Sequence, residues 1–403
     1  MRPHDNPYTP NAGARPPALV GRDRELVAFE VLLDRLRKGH TEQSMLITGL
    51  RGVGKTVLLG DFERRARERS WVTAEAEITK NVEFGSRMAH LVRRALFQVA
   101  PRGRWRDRGR RAARVLKSFH LTVSSDGSIA AGLDVEALEG LADSGSLSDD
   151  LTDLLVALGE AAQEAESGVV FLLDEVQFLT ASEFEALIAA LHKAVQRGLP
   201  ITLVGAGLPQ LPRLAGEAKS YAERLFTFPR IGQLPDAEAA RALVEPAEGL
   251  GVAYESAAVD AIVEYTEGYP YFLQEYGKIV WDLTDEPPVT GEEVDDARDA
   301  VEAKLDASFF RVRAERTTEL ELQYLRAMAE LGSEPQQAKD VAKLLNRTSE
   351  QLGPTRSRLI DKGLLYTPGH GLAAFTVPQF DRYMRRAHEL RVTPPQRRAR
   401  RRS

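Results

Sequence analysis

The 403-residue sequence contains no cysteine and only seven histidines. Without thiols, the chain cannot form disulfide bonds or metal sites with thiolate ligands, and this composition agrees with a reducing compartment. The histidines are scattered and form no pair with the spacing of metal ligands. The sequence therefore carries no signature of a disulfide framework or a zinc site.

Long apolar runs are also missing. No stretch of 18 consecutive apolar residues occurs, and the first 17 residues, MRPHDNPYTPNAGARPP, lack the apolar core of a signal peptide. We therefore expect a cytoplasmic protein that has no contact with the membrane.

A strong charge of one sign is absent as well, since the formal net charge is only −5. No global basic field favours nucleic acid. Arginines nevertheless crowd two stretches, Arg102 to Arg114 and the tail from Gln396 to Ser403. Such runs are either solvated faces and flexible arms or sites that contact nucleic acid, and both interpretations stay open.

The length and composition indicate an ordinary globular protein. A chain of 403 residues exceeds what one compact core usually holds, so we expect two or three domains. The hydrophobic fraction of 43% and the charged fraction of 28% are typical of folded proteins.

A phosphate-binding loop is indicated near the N-terminus. The stretch SMLITGLRGVGKTVLLGDF, Ser44 to Phe62, places a short buried strand before a glycine-rich bend and an amphipathic helix after it. The bend fits G-x-x-x-x-G-K-[ST], whose backbone N–H groups surround a polyphosphate at a helix N-terminus. Lys55 would reach the β- and γ-phosphates and Thr56 would ligate Mg²⁺. The predicted nucleotide-binding residues of this segment are Gly49, Gly52, Val53, Gly54, Lys55, Thr56 and Val57.

A second stretch completes the predicted site. GVVFLLDEVQFL, Gly168 to Leu179, is a continuous apolar strand that ends in two carboxylates, as a central parallel strand would. Asp174 can hold the Mg²⁺ shell, and Glu175 can orient a water for attack on the γ-phosphate.

Helices and strands alternate through this part of the chain. A helix with a predicted capping box at Ser182 and Glu185 follows, and then another buried strand, LPITLVGAGLPQL. This alternation predicts an α/β fold with a parallel sheet covered on both faces, and a nucleotide at the carboxyl ends of its strands.

One insertion interrupts the pattern. The stretch SFHLTVSSDGSIAAGLDVE, residues 118–136, alternates about Asp126 and Gly127 and predicts an exposed β-hairpin. Together with the arginine cluster it forms an insert near residues 101–136, which could contact DNA or a partner, or have no direct function.

The last third of the chain predicts a different unit. Three helices, one ending at Gly332 and the third at Gly363, precede two strands about a turn at residues 368–371. Three helices and a hairpin make a winged helix-turn-helix. The third helix carries a polar set suited to phosphates and base edges, namely Arg347, Gln351, Thr355, Arg356, Arg358 and Lys362. The turn between the two strands is not basic, since His370 is its only titratable residue. Winged helices also pack against proteins, so contact with duplex DNA and contact with a protein both stay open.

These motifs together resemble the AAA+ ATPases of the origin-recognition type and the neighbouring STAND signalling ATPases. ALVGRDREL resembles the box that borders the adenine in those families, which implies that Val20, Gly21 and Arg22 bind nucleotide. SYAERLFTFPRIGQL resembles the segment that supplies an arginine finger to a neighbouring subunit, which implies Arg224 and a homo-oligomer. Gly268-Tyr269-Pro270 resembles the Gly-x-Pro motif of the STAND lid, which implies that Pro270 contacts the nucleotide.

The resemblance implies a division of the chain. We expect an N-terminal segment at 1–17, a P-loop AAA+-like ATPase core at 18–234, a helical lid at 235–310, a winged helix-turn-helix at 311–388 and a basic tail at 389–403. The chain departs from the initiator pattern where Tyr271 stands in place of a sensor-2 arginine, and where the strand ITLVGAG has no sensor-1 Asn or Thr at its end, with Gln210 a weak substitute. Hydrolysis is therefore expected to be slow.

Two functions follow from the sequence. In the first, the protein is an ATPase that binds Mg·ATP, and its nucleotide state reorients a winged helix that contacts DNA. Lys55 and Glu175 would act in catalysis, and Arg224 would act in trans. In the second, a STAND-type signalling or scaffold ATPase uses the nucleotide to hold a closed state, and its winged helix contacts protein partners.

Overall fold

The computed structural model describes residues 1–80, 82–101, 106–123, 133 and 135–391. Its centre is a five-stranded sheet in the order β2-β3-β4-β1-β5, and all of its strands are parallel. The strands are β1 Ser44–Thr48, β2 Val72–Glu77, β3 Val169–Asp174, β4 Ile201–Gly207 and β5 Phe226–Thr227. The α/β class with a parallel sheet, predicted from the sequence, is confirmed.

A separate core covers each face of this sheet, because successive side chains of a strand point to opposite faces. Met45 and Ile47 face one core, whereas Leu46 faces the other. The helices that surround the sheet are α1 Asp23–Arg37, α2 Lys55–Glu68, α3 Phe84–Val99, α4 Asp107–Val123, α5 Leu147–Glu164, α6 Ala181–Gln196, α7 Leu211–Ala218 and α8 Ala222–Leu225. Burial on both faces explains why β1 and β4 are buried throughout.

Two local predictions were wrong. The first half of the predicted hairpin, residues 118–123, is the end of α4, because its buried Ala112, Val115, Leu116 and Phe119 follow helical spacing against the core. Asp126 and Gly127 lie outside the described residues. The capping box of α6 is formed by Thr180 and Glu183, two residues before the predicted pair, because the helix begins at Ala181.

A group of helices follows the sheet in the chain. They are α9 Asp236–Glu248, α10 Ser256–Thr266, α11 Pro270–Leu283, α12 Gly291–Leu305 and, after a π-helical turn at Asp306–Phe310, α13 Arg311–Ala314. Their apolar faces pack into the same core as α1 and α2. The N-terminal segment joins this core through Tyr8, which is buried and donates a hydrogen bond to the carbonyl of Leu243 (2.7 Å).

The remaining residues form a compact group that we call the C-terminal unit, residues 319–387. It contains α14 Glu319–Leu331, β6 Gln336–Gln337, α15 Ala338–Leu344, α16 Ser349–Asp361, β7 Leu365–Tyr366, β8 Leu372–Phe375 and α17 Phe380–Ala387. The three strands form an antiparallel sheet in the order β6-β8-β7. The sequence pattern did not reveal β6, which has only two residues, or α17.

The C-terminal unit packs directly on the parallel-sheet part of the protein. Leu50, in the loop after β1, packs in a small apolar cluster with Leu208, Tyr366 and Ala374. At the edge of this contact, Lys80 pairs with Asp361 at 3.1 Å. The loop after β1 is therefore shared between the sheet and the C-terminal unit.

Candidate nucleotide site

The glycine-rich loop runs from the end of β1 into α2, in the order that the motif predicted. Gly52 and Gly54 have φ of 83° and 90°, values that side chains with a Cβ rarely adopt, so the bend depends on glycine. A Cβ at Gly49 would lie 2.5 Å from the carbonyl oxygen of Ile231, so this position also excludes a side chain. The loop is therefore a preformed turn at the carboxyl end of β1.

Lys55 lies at the start of α2 and is buried. Its Nζ donates hydrogen bonds to the carbonyl oxygens of Gly49 (3.0 Å) and Leu50 (2.8 Å), which hold the side chain under the loop. Burial lowers the pKa of Lys55 to about 8, against the opposing effect of the nearby carboxylates of Glu175 and Asp174. The lysine is thus a poorly solvated cation that a polyphosphate would stabilise.

Thr56 and Asp174 meet across the gap between α2 and β3. The Thr56 hydroxyl donates to the Asp174 carboxylate at 2.6 Å, and the other carboxylate oxygen accepts from the backbone N–H of Glu175 at 2.8 Å. A hydroxyl and a carboxylate oxygen are ligands that Mg²⁺ prefers, usually together with waters and substrate phosphates. This donor pair therefore fits the magnesium ion that the sequence predicted.

Glu175 follows Asp174 in a left-handed backbone conformation (φ 55°, ψ 36°). This conformation is uncommon for a residue other than glycine and often marks a functional position. One carboxylate oxygen accepts a hydrogen bond from Arg51 at 3.2 Å, and the other accepts one from Gln177. Sequence reasoning missed both partners, because the motif leaves the position of Arg51 unspecified.

A cavity of about 500 Å³ opens beside the loop. Its lining includes most of the predicted nucleotide-binding residues: Val20, Arg22, Gly52, Val53, Gly54, Lys55, Thr56, Val57 and Pro270, together with Glu175. Gly21 and Gly49 are not in the lining. Leu19, Val20, Leu234 and Tyr271 give the cavity apolar walls, which suit a purine base.

Arg22, which the family resemblance implies in nucleotide binding, directs its side chain at backbone oxygens of the protein. Its side chain is buried and donates hydrogen bonds to the carbonyls of Gly21 (3.0 Å), Val53 (3.2 Å) and Gly232 (2.7 Å). Burial lowers its pKa, partly offset by Glu25. With its donors directed at backbone oxygens, Arg22 connects the segment before α1 to the phosphate loop.

The N-terminal segment forms one wall of the cavity, a position that no motif predicted. Residues 9–14 and Pro16 line it, and a Cβ at Gly13 would lie 3.4 Å from the Thr56 methyl carbon. The segment is attached on both sides, because the backbone N–H of Thr9 donates to Gln274 (3.0 Å) and Arg15 pairs with the buried Asp61 of α2 (3.3 Å). The segment therefore lies across the cavity between α2 and α11.

Arg313 is a second cation that sequence reasoning missed. It lines the cavity, stacks 4.2 Å from the centre of the Phe309 ring and donates to the Phe309 carbonyl. Tyr271, where the initiator pattern would have a sensor-2 arginine, stacks on Phe309 with ring centres 4.7 Å apart. Burial, followed by the nearby Arg51, lowers the pKa of Arg313 to about 10. A cation destabilised by burial and by another cation is suited to bind a phosphate.

Arg224 does not join the cavity. It is exposed at the end of α8, where its carbonyl accepts a hydrogen bond from Gln43, the residue before β1. The phosphate loop begins at the other end of β1, and a five-residue strand spans roughly 15 Å. Arg224 therefore cannot reach the nucleotide of its own chain, and any contact with a nucleotide would require a second chain.

Comparison with known proteins agrees with this geometry. A family model described as an AAA ATPase domain matches residues 18–204, and a domain of unknown function, DUF8462, matches residues 307–384. No curated protein sequence matches the chain significantly.

Two solved structures share the fold over nearly their whole length. The Aeropyrum pernix ORC2 protein, solved in ADPNP–ADP complexes, is 18% identical with a TM-score of 0.53, and the match covers 93% of this chain and 95% of that one. A Walker-type ATPase of Pyrococcus abyssi is 14% identical with a TM-score of 0.52, and the match covers 92% of this chain and 97% of that one. Residues 18–204 therefore match the AAA ATPase domain family, and the chain shares its fold with these two solved structures over most of its length.

Proposed function

We propose that this protein binds Mg·ATP and hydrolyses it slowly, and that the nucleotide state controls the docking of its C-terminal unit. The observation that carries the proposal is that one loop serves both purposes. Residues 52–57 line the cavity, while Leu50 of the same loop packs against Tyr366 and Ala374 of the C-terminal unit. Loss of the γ-phosphate would therefore alter the loop that also forms the contact with the C-terminal unit.

The proposed chemistry assigns a task to each side chain. Lys55 would neutralise charge on the β- and γ-phosphates, and Thr56 and Asp174 would hold the magnesium ion, which supplies further charge neutralisation when bound. Glu175 would orient a water and accept its proton as the water oxygen bonds to the γ-phosphorus and the bond to the bridging oxygen breaks, with ADP leaving. Arg313 would meet phosphate charge from the same chain, and Arg224 would do so in trans within a homo-oligomer.

We further propose that the C-terminal unit is a winged helix. Support comes from the order of its elements, since α14, β6, α15 and α16 precede a β7–β8 hairpin in an antiparallel sheet. In this kind of unit the third helix, here α16, is the usual element for contact with a major groove.

The proposed partner of this unit is duplex DNA. The sequence supports it through Arg347, Arg358 and Lys362 and through five arginines after Gln396. Clusters of basic residues bind the DNA backbone without reading its sequence, and this binding depends strongly on the salt concentration.

A specific observation favours the second candidate, a STAND-type switch whose winged helix contacts protein. Arg358 and Lys362 both pair with the buried Glu321 of α14, at 2.9 and 2.6 Å, and Arg356 donates to the Leu372 carbonyl at 3.0 Å. Thr355 is buried. The predicted DNA-contacting set is thus largely committed to contacts inside the unit.

The experiment that tests the proposal is ATP turnover by the purified protein, with and without duplex DNA. We expect wild-type turnover to be slow, and Glu175→Gln to bind a fluorescent ATP analogue with near-normal affinity while losing about 100-fold or more of the turnover rate. Stimulation by DNA that disappears at high salt would support the DNA-dependent switch.

Three results would count against parts of the proposal. Equal turnover by wild type and Glu175→Gln would contradict the catalytic role of Glu175. Failure of the wild-type protein to bind nucleotide would contradict the proposal of a nucleotide-controlled switch. Turnover that does not respond to DNA at low salt would favour the second candidate, a switch whose partner is a protein.

A further inference from the structure

We propose that Arg51 is a positioning residue that keeps ATP hydrolysis slow, by holding the Glu175 carboxylate while the C-terminal unit is docked. The inference rests on the proposed function, and it adds the means by which docking is communicated to the catalytic carboxylate. The chain would hydrolyse ATP at its full rate only after the C-terminal unit has moved away from Arg51.

The Glu175 carboxylate is held by side chains of the protein. To orient a water, a carboxylate must direct an unoccupied lone pair at that water. Here one oxygen accepts from Arg51 at 3.2 Å and the other accepts from Gln177. The Gln177 side chain is fixed in turn, because its oxygen accepts from the backbone N–H of Leu208 at 3.2 Å. Hydrogen bonds to both oxygens therefore fix the orientation of the proposed base.

Arg51 is held in turn by the C-terminal unit. Its backbone N–H donates to the carbonyl of Thr376 at 3.0 Å, and its Nε donates to the carbonyl of Gly363 at 3.4 Å. Both acceptors belong to the C-terminal unit, one after α16 and the other directly after β8. The same guanidinium that pairs with Glu175 is thus anchored to the docked unit.

The backbone of the C-terminal unit is shaped to accommodate Arg51 at this contact. Gly363 has φ of 68°, and a Cβ there would lie 2.8 Å from Nη2 of Arg51. The Thr376 hydroxyl donates to the same Gly363 carbonyl at 2.7 Å, which fixes the acceptor's position. The turn after α16 therefore leaves room for the guanidinium and presents a fixed oxygen to it.

These contacts link two equilibria. If docking favours the Arg51–Glu175 pair, then freeing Glu175 must disfavour docking by the same factor. A partner that binds the released C-terminal unit would raise turnover without contacting the cavity. Slow hydrolysis would then be a property of the docked state rather than of an incomplete set of catalytic residues.

The test uses the full chain and compares kcat with KM for ATP. We expect Arg51→Ala to raise kcat by about five-fold or more, the lower end of typical coupling factors. KM should change much less than kcat, and affinity for a fluorescent ATP analogue should stay within about two-fold of wild type. In the double variant Arg51→Ala with Glu175→Gln, kcat should fall to that of Glu175→Gln alone. This result would show that the added turnover depends on Glu175.

A second variant weakens docking without altering Arg51. Asp361→Lys would replace the 3.1 Å pair with Lys80 by two like charges, and a lysine at the end of α16 suits the helix dipole, so the unit itself should stay folded. We expect this variant to raise kcat in the wild-type background and to add nothing in the Arg51→Ala background. The matched control is Glu330→Lys, which makes the same charge reversal on an exposed side chain in the last turn of α14 and likewise breaks a surface ion pair, with Arg326 at 2.8 Å; it should leave kcat unchanged.

Each contrary result has a distinct meaning. An Arg51→Ala variant with unchanged or lower kcat would overturn the inference, as would an Asp361→Lys effect that simply adds to that of Arg51→Ala. If Glu175→Gln matched its parent in every background, the proposed hydrolysis itself would fail. A failure of the inference alone would instead leave wild-type turnover dependent on Glu175.

Discussion

At the scale of single residues, the decisive side chain is Lys55. It is held under the phosphate loop by two carbonyl oxygens, and burial lowers its pKa to about 8. A bound polyphosphate would favour the charged ammonium and raise that pKa again. Nucleotide binding and protonation of this amine are therefore linked.

This linkage predicts how affinity depends on pH. Below about pH 8, Lys55 is already protonated before ATP arrives, whereas above it the free protein must take up a proton to bind. We expect ATP affinity to fall by up to about ten-fold per pH unit as the pH rises from 8 to 10. Titration calorimetry in buffers of different ionisation enthalpy would measure the affinity and the proton uptake. A flat affinity with no proton uptake over this range would contradict the prediction.

Motifs identified the residues of the site whose type and spacing follow from the chemistry. Lys55, Thr56, Asp174 and Glu175 were predictable in this way. Arg51 and Arg313 were not, because their contacts join positions more than 120 residues apart or involve backbone oxygens, and neither kind of contact leaves a pattern in the sequence.

At the scale of secondary structure, Glu321 connects two functions of one helix. It accepts from the backbone N–H of Thr318 at 2.8 Å, as part of the capping box of α14, and it also pairs with Arg358 and Lys362 of α16. Burial raises the pKa of Glu321, but hydrogen bonds from Lys362, the Thr318 backbone and Arg358 outweigh it and lower the pKa to about 2. One carboxylate therefore joins the first and third helices of the C-terminal unit.

The change Glu321→Gln tests this role. The amide keeps the shape and can still cap α14, but it loses the charge, so we expect the free energy of unfolding to fall by about 1–2 kcal/mol near pH 7. Because the pKa is lowered on folding, this stability is present above the unfolded pKa and is lost as the pH falls from about 4.5 toward 2. Urea unfolding of both proteins at pH 7 and pH 3 would measure it. An equal difference in the free energy of unfolding between the two proteins at both pH values would show that the charge of Glu321 is not the cause of the difference.

Helices and strands were predictable where burial imposed a period, and least predictable where the sequence was ambiguous. β1, β3, β4, α14 and α16 follow directly from apolar runs, caps and terminal glycines. Residues 118–123, HLTV among them, also alternate as a strand would, and only packing of α4 on α3 and α5 makes them helical. The alternation of apolar and polar residues over this short stretch could not predict that tertiary contact.

At the scale of the whole molecule, the N-terminal segment joins parts that are distant in sequence. Tyr8 is buried against Gly277 of α11, and its hydroxyl donates to the Leu243 carbonyl (2.7 Å) and bonds with Tyr254 (2.9 Å). A few residues later the segment lines the nucleotide cavity. Opening of the cavity on this side therefore requires the segment to detach.

We expect Tyr8→Ala to accelerate release of a bound fluorescent ADP analogue by about ten-fold or more, because the segment loses its main buried anchor. It should also lower the free energy of unfolding by about 3 kcal/mol, as truncation of a buried aromatic residue does. Stopped-flow fluorescence would measure the release rate. Tyr8→Phe is the matched control, since it keeps the ring and should stay close to wild type in release. Equal release rates for all three proteins would show that the segment does not control nucleotide exit.

The contact between Arg51 and the C-terminal unit also determines how the protein would respond to mutation. The unit offers two backbone carbonyl oxygens, those of Gly363 and Thr376, and no side chain. Most side-chain replacements leave these carbonyl oxygens in place. An alanine scan of the C-terminal unit would therefore reveal this contact only at Gly363, where a Cβ would lie 2.8 Å from Nη2 of Arg51, and at Thr376, whose hydroxyl holds the Gly363 carbonyl. A scan of the phosphate loop would detect it at Arg51. The unit's surface could diverge widely in sequence while communication with the ATPase persists, provided that the backbone path around Gly363 is kept.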